Sequence, residues 1–351
     1  MASMRLRFTS FLSALKGGYA AATACLVPLV PAIFGGLVGC SPEDKTSQTV
    51  LQNTGPGQPS KVLLGIGPQW HEEYDPPLRG PALVDLVMVG NWLIEAGFTP
   101  EHSRKLKNIV QRGKTPVMVF YIATAKVKKG IGTKSDCDGN KQAALCTSGS
   151  NYLRKNFTQE ILPVYREAAK NIAQIVQKSP IIIHMEPDWY QYSEKGQTNP
   201  LTKNESNELM NQMLKALKDY CATCQVAVDF STWFSPDKTA WAQTTKDFFS
   251  GWDRSIVKYV GLIGKKFPFT EGKVDNFTYK EITQELSLPL IVTSAYDFGG
   301  GPLALDSSWL DETNLQKAAS MNVAAVLFSQ GTGGGQIDAF IKKARGNSST
   351  P

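Results

Sequence analysis

Histidine is scarce in this chain: three in 351 residues, at positions 71, 102 and 184. No His-x-His pair falls on a strand candidate, so a metal-dependent hydrolase would have to be assembled from His71, Glu72, His184 and Asp297, which is a poor ligand set. No Gly-x-Gly-x-x-Gly fingerprint follows the first strand candidate, because Gly65-Ile66-Gly67 runs into Pro68. The glycine-rich stretch 331–335 lacks the lysine and hydroxyl of a phosphate loop. No cofactor is implied. Basic clusters are also few. The net charge is +6, and basic residues group only in short runs such as Lys126-Lys128-Lys129 and Lys265-Lys266. Such runs are usually solvated faces, and there is no footprint for nucleic acid. Beyond residue 40, no segment approaches the roughly 18 uninterrupted apolar residues of a membrane span.

What is present begins with an export signal. Arg5, Arg7 and Lys16 precede an apolar stretch from Gly17 to Val38, which ends Leu37-Val38-Gly39-Cys40. A basic start, an apolar middle and small residues at the end describe a secretory signal. The last four residues resemble the bacterial lipobox, which implies lipidation of Cys40 and anchoring to the cell envelope after export. A single transmembrane anchor is the alternative, but Pro28 and Pro31 interrupt the run. Residues 41–60 are polar, with glycine and proline near the end, and read as a flexible tether. Residues 347–351 read as a disordered tail. Four cysteines remain in the exported part, Cys137, Cys146, Cys221 and Cys224. An even number outside the cytosol predicts disulfides, paired 137–146 and 221–224. A zinc site is the weaker alternative, since the first spacing is far from a zinc-knuckle spacing.

From Lys61 to residue 346 the chain keeps one rhythm: short apolar runs alternate with amphipathic stretches. Eight strands are predicted, at residues 62–66, 86–89, 117–122, 181–185, 226–230, 257–263, 290–295 and 324–328. Helices are predicted at 99–109, 157–177, 204–220, from Ser235 onward, and at 277–286, 313–320 and 337–344. Alternation of this kind implies a parallel sheet with right-handed crossovers. Eight units in about 285 residues fit a single (β/α)8 TIM barrel, an α/β fold; an open doubly wound sheet is the rival.

A barrel gathers its site at the C-terminal ends of its strands. Those ends carry Trp70 and His71, then Trp92, Tyr121, His184, Glu186, Asp188, Trp189, Tyr190, Asp229, Trp233, Tyr296, Asp297 and Gln330. Carboxylates mixed with aromatic rings suit carbohydrate, whose rings present apolar faces and whose hydroxyls seek polar groups. Trp70, His71, Trp92, Tyr121, Trp189, Tyr190, Trp233, Tyr296 and Gln330 are the expected substrate-binding set. By the two-residue alternation of a strand, Ile182, His184 and Glu186 share the lumen face, with His184 one layer below and placed to influence the proton on Glu186. Ala227 and Asp229 share a face in the same way.

Met185-Glu186-Pro187 resembles the strand-four Asn-Glu-Pro of clan A glycoside hydrolases, and Tyr296-Asp297-Phe298-Gly299 resembles their strand-seven Glu-Phe-Gly. The resemblance implies Glu186 as general acid and Asp297 as nucleophile or base, with Asp188 or Asp229 as substitutes. Two positions depart from the clan: Met185 replaces an asparagine, and Asp297 is one methylene shorter than glutamate. The expected function is hydrolysis of a polysaccharide or oligosaccharide by a monomer. A non-catalytic sugar-binding barrel is the alternative.

Overall fold

The computed structural model describes residues 61–67, 83–90, 92–134, 144–229, 235, 237–262, 273–274, 276–293, 306–328 and 334–345. All of them belong to one unit spanning residues 46–351. In chain order the strands are β1 (Leu63–Ile66), β2 (Leu86–Met88), β3 (Thr115–Phe120), β4 (Ile181–Met185), β5 (Cys224–Asp229), β6 (Val257–Leu262), β7 (Lys273–Val274), β8 (Phe277–Thr278), β9 (Leu290–Thr293) and β10 (Val323–Phe328). The helices are α1 (Pro100–Gln111), α2 (Ile122–Gly130), α3 (Ala144–Asn156), α4 (Leu162–Val176), α5 (Trp189–Ser193), α6 (Lys203–Tyr220), α7 (Lys238–Phe249), α8 (Tyr279–Leu286), α9 (Glu312–Ser320) and α10 (Gly334–Arg345).

Eight strands close into a parallel barrel in the order β1-β10-β9-β6-β5-β4-β3-β2. Each matches a predicted apolar run. The small antiparallel pair β7-β8 lies outside the barrel. The barrel closes because β1 pairs in parallel with both β10 and β2, which leaves no open edge.

Two apolar clusters follow from strand alternation. Leu63, Leu86, Met88, Val117, Val119, Ile182, Ala227, Tyr259, Ile291 and Leu327 fill the lumen. Their alternating neighbours, including Ile181, Ile183, Met185, Val226 and Val228, face the helices and join the larger outer cluster. Fully burying one such aliphatic side chain stabilises by about 1.5–3 kcal/mol, so the two faces of each strand act together.

Local signals start several helices. Thr99 accepts from the His102 backbone N–H at 3.3 Å and donates its own backbone N–H to His102 Nδ1 at 3.0 Å. His102 is thereby taken up in a capping box at α1. Thr202 with Glu205, and Thr278 with Glu281, form the same device at α6 and α8. Three expectations need correction. Ile122 opens α2 rather than ending a strand. Phe157–Ile161 forms a π-helical turn before α4, beside Pro163, which has no N–H to continue an α-helical ladder. Residues 277–278 form β8 before α8 begins at Tyr279.

Cys221 and Cys224 are joined by a disulfide with Cα atoms 5.3 Å apart, where α6 hands over to β5. Cys146 is also disulfide-bonded; Cys137, its expected partner, lies outside the described residues, as does Cys40. No described helix is long and apolar enough to cross a membrane.

Candidate functional site

The site at the strand ends is built from the turns after β3, β4 and β5. Tyr121 follows β3 and stands at the N-cap of α2, where its side chain makes no capping hydrogen bond. The N–H groups of the first turn of α2 therefore need another acceptor. Glu186 supplies it from 63 residues further along the chain. Its Oε1 accepts from the Ala123 N–H at 2.7 Å, and its Oε2 accepts from the Thr124 N–H at 3.2 Å and the Thr124 hydroxyl at 3.3 Å. Tyr165 on α4 donates to Oε1 at 2.6 Å, and Tyr192 on α5 donates to Oε2 at 2.7 Å.

This cage corrects the expected orientation of Glu186. Alternation holds from Ile181 to Met185, and then the backbone of Glu186 turns left-handed, with φ at +41°. A left-handed residue ends the pleat, so the side chain does not continue on the face of His184. It lies among α2, α4 and α5, and is 1% exposed. Burial pushes its carboxyl pKa up, while hydrogen bonds from Tyr165, Ala123, Tyr192 and Thr124 pull it down; burial prevails. Holding a left-handed glutamate costs of order 1–3 kcal/mol, offset by this set of donors and by the positive end of the α2 dipole.

His184 does lie in the lumen. It is in register with Val119 on β3 and Ala227 on β5, and its ring reaches over Gly261 on β6, where an added Cβ would fall 2.5 Å from Cε1. Its Nε2 is buried without a hydrogen-bond partner, and desolvation pushes its pKa down to about 3. His184 is therefore neutral at ordinary pH. It does not sit beneath the Glu186 carboxylate, because the two side chains occupy opposite sides of β4.

Three expected site residues do come together. Tyr121 donates its hydroxyl to Oδ2 of Asp188 at 2.6 Å, and Gln191 donates from Nε2 to Oδ1 at 3.1 Å. Trp92 meets the Tyr121 ring edge-on, with centroids 5.6 Å apart, and also packs against the lumen cluster. Asp188 and Tyr121 are half-buried. Asp229 ends β5 in register with Gly261, two residues beyond lumen-facing Ala227 and half-buried. The arrangement is a carboxylate held in one orientation by two donors, with aromatic surface beside it, at the C-terminal end of adjacent strands.

Two expected sugar-binding aromatics are placed elsewhere. Trp189 is 2% exposed; its Nε1 donates to Ser206 on α6 at 3.0 Å and its ring meets Tyr192. Tyr190 packs edge-on against Phe248 of α7 at 5.4 Å. Both follow Asp188 on the short helix α5, whose period carries them away from the barrel mouth into the helix layer. Trp70, His71, Trp233, Tyr296, Asp297 and Gln330 lie outside the described residues. Of the possible metal ligands only His184 is described, and no group of three ligand-type side chains gathers among the described residues. Tyr165 had no signal in the sequence beyond being a tyrosine among the apolar positions of α4.

No family model and no curated protein matches this chain. Solved structures that resemble it include the Ignisphaera aggregans GH53 catalytic domain, 10% identical, over 78% of this chain and 86% of that one, with a TM-score of 0.46. Endo-glycoceramidase II from Rhodococcus sp. is 13% identical over 78% and 74% of the two chains, with a TM-score of 0.46. The old yellow enzyme homologue from Zymomonas mobilis is 12% identical over 77% and 84%, with a TM-score of 0.41. The chain itself is a closed eight-stranded parallel (β/α) barrel by its own strand order.

Proposed function

We propose that this protein is a glycoside hydrolase that cleaves a polysaccharide at the C-terminal face of its barrel. The observation that carries the reading is the Tyr121–Asp188 hydrogen bond beside Trp92. Cleavage of a glycosidic bond needs one carboxyl group that protonates the departing oxygen and one carboxylate that attacks the sugar carbon or activates water. Asp188, oriented by the donors of Tyr121 and Gln191, is assigned the attacking role. Asp229, at the end of the adjacent strand, is its partner carboxyl in this reading and serves as the acid. Trp92 and Tyr121 offer the sugar an aromatic wall. Glu186 does not touch substrate here; it anchors the start of α2, from which Tyr121 reaches Asp188. Asp297 keeps the role that the clan A resemblance implies for it only if Asp229 proves dispensable.

The test is a panel of polysaccharides incubated with the wild-type protein and with Asp188→Asn and Asp229→Asn, reading released reducing ends. Release by the wild type, lost in both variants, is the expected result. Release that survives Asp188→Asn would refute the assignment.

A second reading, a sugar-binding barrel without turnover, is favoured by one observation: the glutamate of the Met-Glu-Pro motif is enclosed in the helix layer. Glycan binding with no product from any member of the panel would establish it. In either reading we place the protein outside the cytoplasm, held to the bacterial envelope by lipid on Cys40. Incorporation of a labelled fatty acid, abolished by Cys40→Ser, tests that placement.

A further inference from the structure

One basic cluster of the sequence gains a partner surface only in three dimensions. α2 and α3 run side by side and leave a groove of about 710 Å³ between them. This falls within the range of about 300–1,000 Å³ of small-ligand sites and is far more than a single small anion fills. Lys126 and Lys129 line it from α2, and Asn151, Tyr152 and Lys155 line it from α3. The α3 wall runs from Ser148 to Asn156, about 12 Å of helix. Gly130 lets the walls approach this closely: a Cβ there would fall 1.8 Å from the Tyr152 ring.

The charges inside the groove are unequal. Its single lining carboxylate among the described residues, Glu160, already accepts from the Tyr152 hydroxyl at 2.6 Å. Lys129 pairs with Glu95 at 3.2 Å. Lys126 and Lys155 have no ion pair among the described residues, so beside the paired Lys129 and Glu160 two further cations face the groove, together with the Asn151 and Asn156 amides, the Ser148 and Tyr152 hydroxyls and the apolar Ile131. Tyr152 remains a neutral donor, its pKa pushed up to about 12 by burial and by Glu160. Cations spaced among hydroxyl and amide groups around an aromatic edge match a chain of hydroxylated rings bearing carboxylates.

We infer that the groove between α2 and α3 binds an acidic oligosaccharide of the uronate class, its carboxylates on Lys126 and Lys155. The sugar class rests on the reading under Proposed function. The groove itself lies on the flank of the barrel, toward the end of α2 that is remote from Tyr121, and is a second site distinct from the Asp188 face. Its role would be to hold an acidic polysaccharide while the barrel mouth acts on it.

Calorimetric titration of the full chain carrying Asp188→Asn, so that no turnover intervenes, tests this directly. The probes are a galacturonate hexasaccharide, a neutral glucose hexasaccharide and inorganic sulfate. The inference expects the acidic hexasaccharide to bind at least about tenfold tighter than the neutral one, and the difference to shrink with added salt. Adding Lys126→Glu and Lys155→Glu should weaken acidic binding by about tenfold or more, and Lys126→Arg with Lys155→Arg should retain it. Equal binding of acidic and neutral probes, undiminished binding after both charge reversals in a protein with an unchanged melting temperature, or sulfate binding as tightly as the hexasaccharide would each overturn it. Acidic binding lost on charge reversal would stand even if no polysaccharide is hydrolysed, which separates this inference from the catalytic one.

Discussion

The Tyr165 hydroxyl donates to Oε1 of Glu186 at 2.6 Å, on the helix side of β4. With Tyr192, Ala123 and Thr124 it completes a ring of donors around a carboxylate that no cation pairs among the described residues. The charge is held by oriented N–H and O–H groups and by the start of a helix. Glu186→Ala would leave those donors buried and unpaired, a loss of about 3–5 kcal/mol. Glu186→Gln keeps the volume but turns an NH2 group toward donors, and should cost about 2 kcal/mol. Urea unfolding midpoints measure both. A Glu186→Gln protein with an unchanged midpoint and no turnover would return Glu186 to the role of general acid.

Tyr121→Phe removes one hydroxyl and little volume. Asp188 then loses its 2.6 Å donor and keeps Gln191. Stability should change by no more than about 1 kcal/mol. Turnover of the substrate found by the polysaccharide panel should fall by about 10- to 100-fold, since a misaligned reacting group costs that much. An unchanged kcat/KM would show that the Tyr121–Asp188 bond has no part in the reaction.

Gly261→Ala should be destabilising by about 1–3 kcal/mol, because the new methyl group meets the His184 ring at 2.5 Å inside a packed lumen. The double variant Gly261→Ala with His184→Ala should recover part of that loss relative to the two single changes added together. Strict additivity in a thermal-melting cycle would show that the two residues are not in contact.

Glu205 predicts an acid-side dependence. The hydrogen bond from Arg154, then that from the Thr202 N–H, pull its pKa down to about 2 from the ordinary 4.5. A depressed folded-state pKa stabilises fully above the unfolded value, and the stabilisation is lost as pH falls through the folded value. The side chain is 38% exposed, so solvent screening limits the contribution to about 1 kcal/mol or less. The gap in melting temperature between wild type and Glu205→Gln should therefore be present at pH 6, shrink between pH 4.5 and pH 2, and be absent below. A gap independent of pH would contradict the assignment.

Much of the frame was legible in the order of residues. A buried parallel strand must be apolar on both faces, so Ile181–Met185 and Val323–Phe328 announce themselves as short unbroken runs. The Cys221–Cys224 bridge was legible because its cysteines are neighbours in the chain. Helix α2 was not. Its start carries no local cap, and the group that caps it lies 63 residues away on another strand end. Trp189 and Tyr190 were legible as aromatics near the site, but not which way α5 would turn them.

The chain alone determined the (β/α) alternation, the lumen face of His184 and the gathering of Trp92, Tyr121 and Asp188 at strand ends, since all of these follow from periods of two and 3.6 residues. The direction of Glu186 was decided by the tertiary structure. A left-handed φ at one residue and a ring of donors from three helices settle it, and both depend on packing between segments distant in sequence. The basic groove was decided by the tertiary structure too: α2 and α3 are neighbours in the chain, but which of their side chains face one another is set by how the two helices pack.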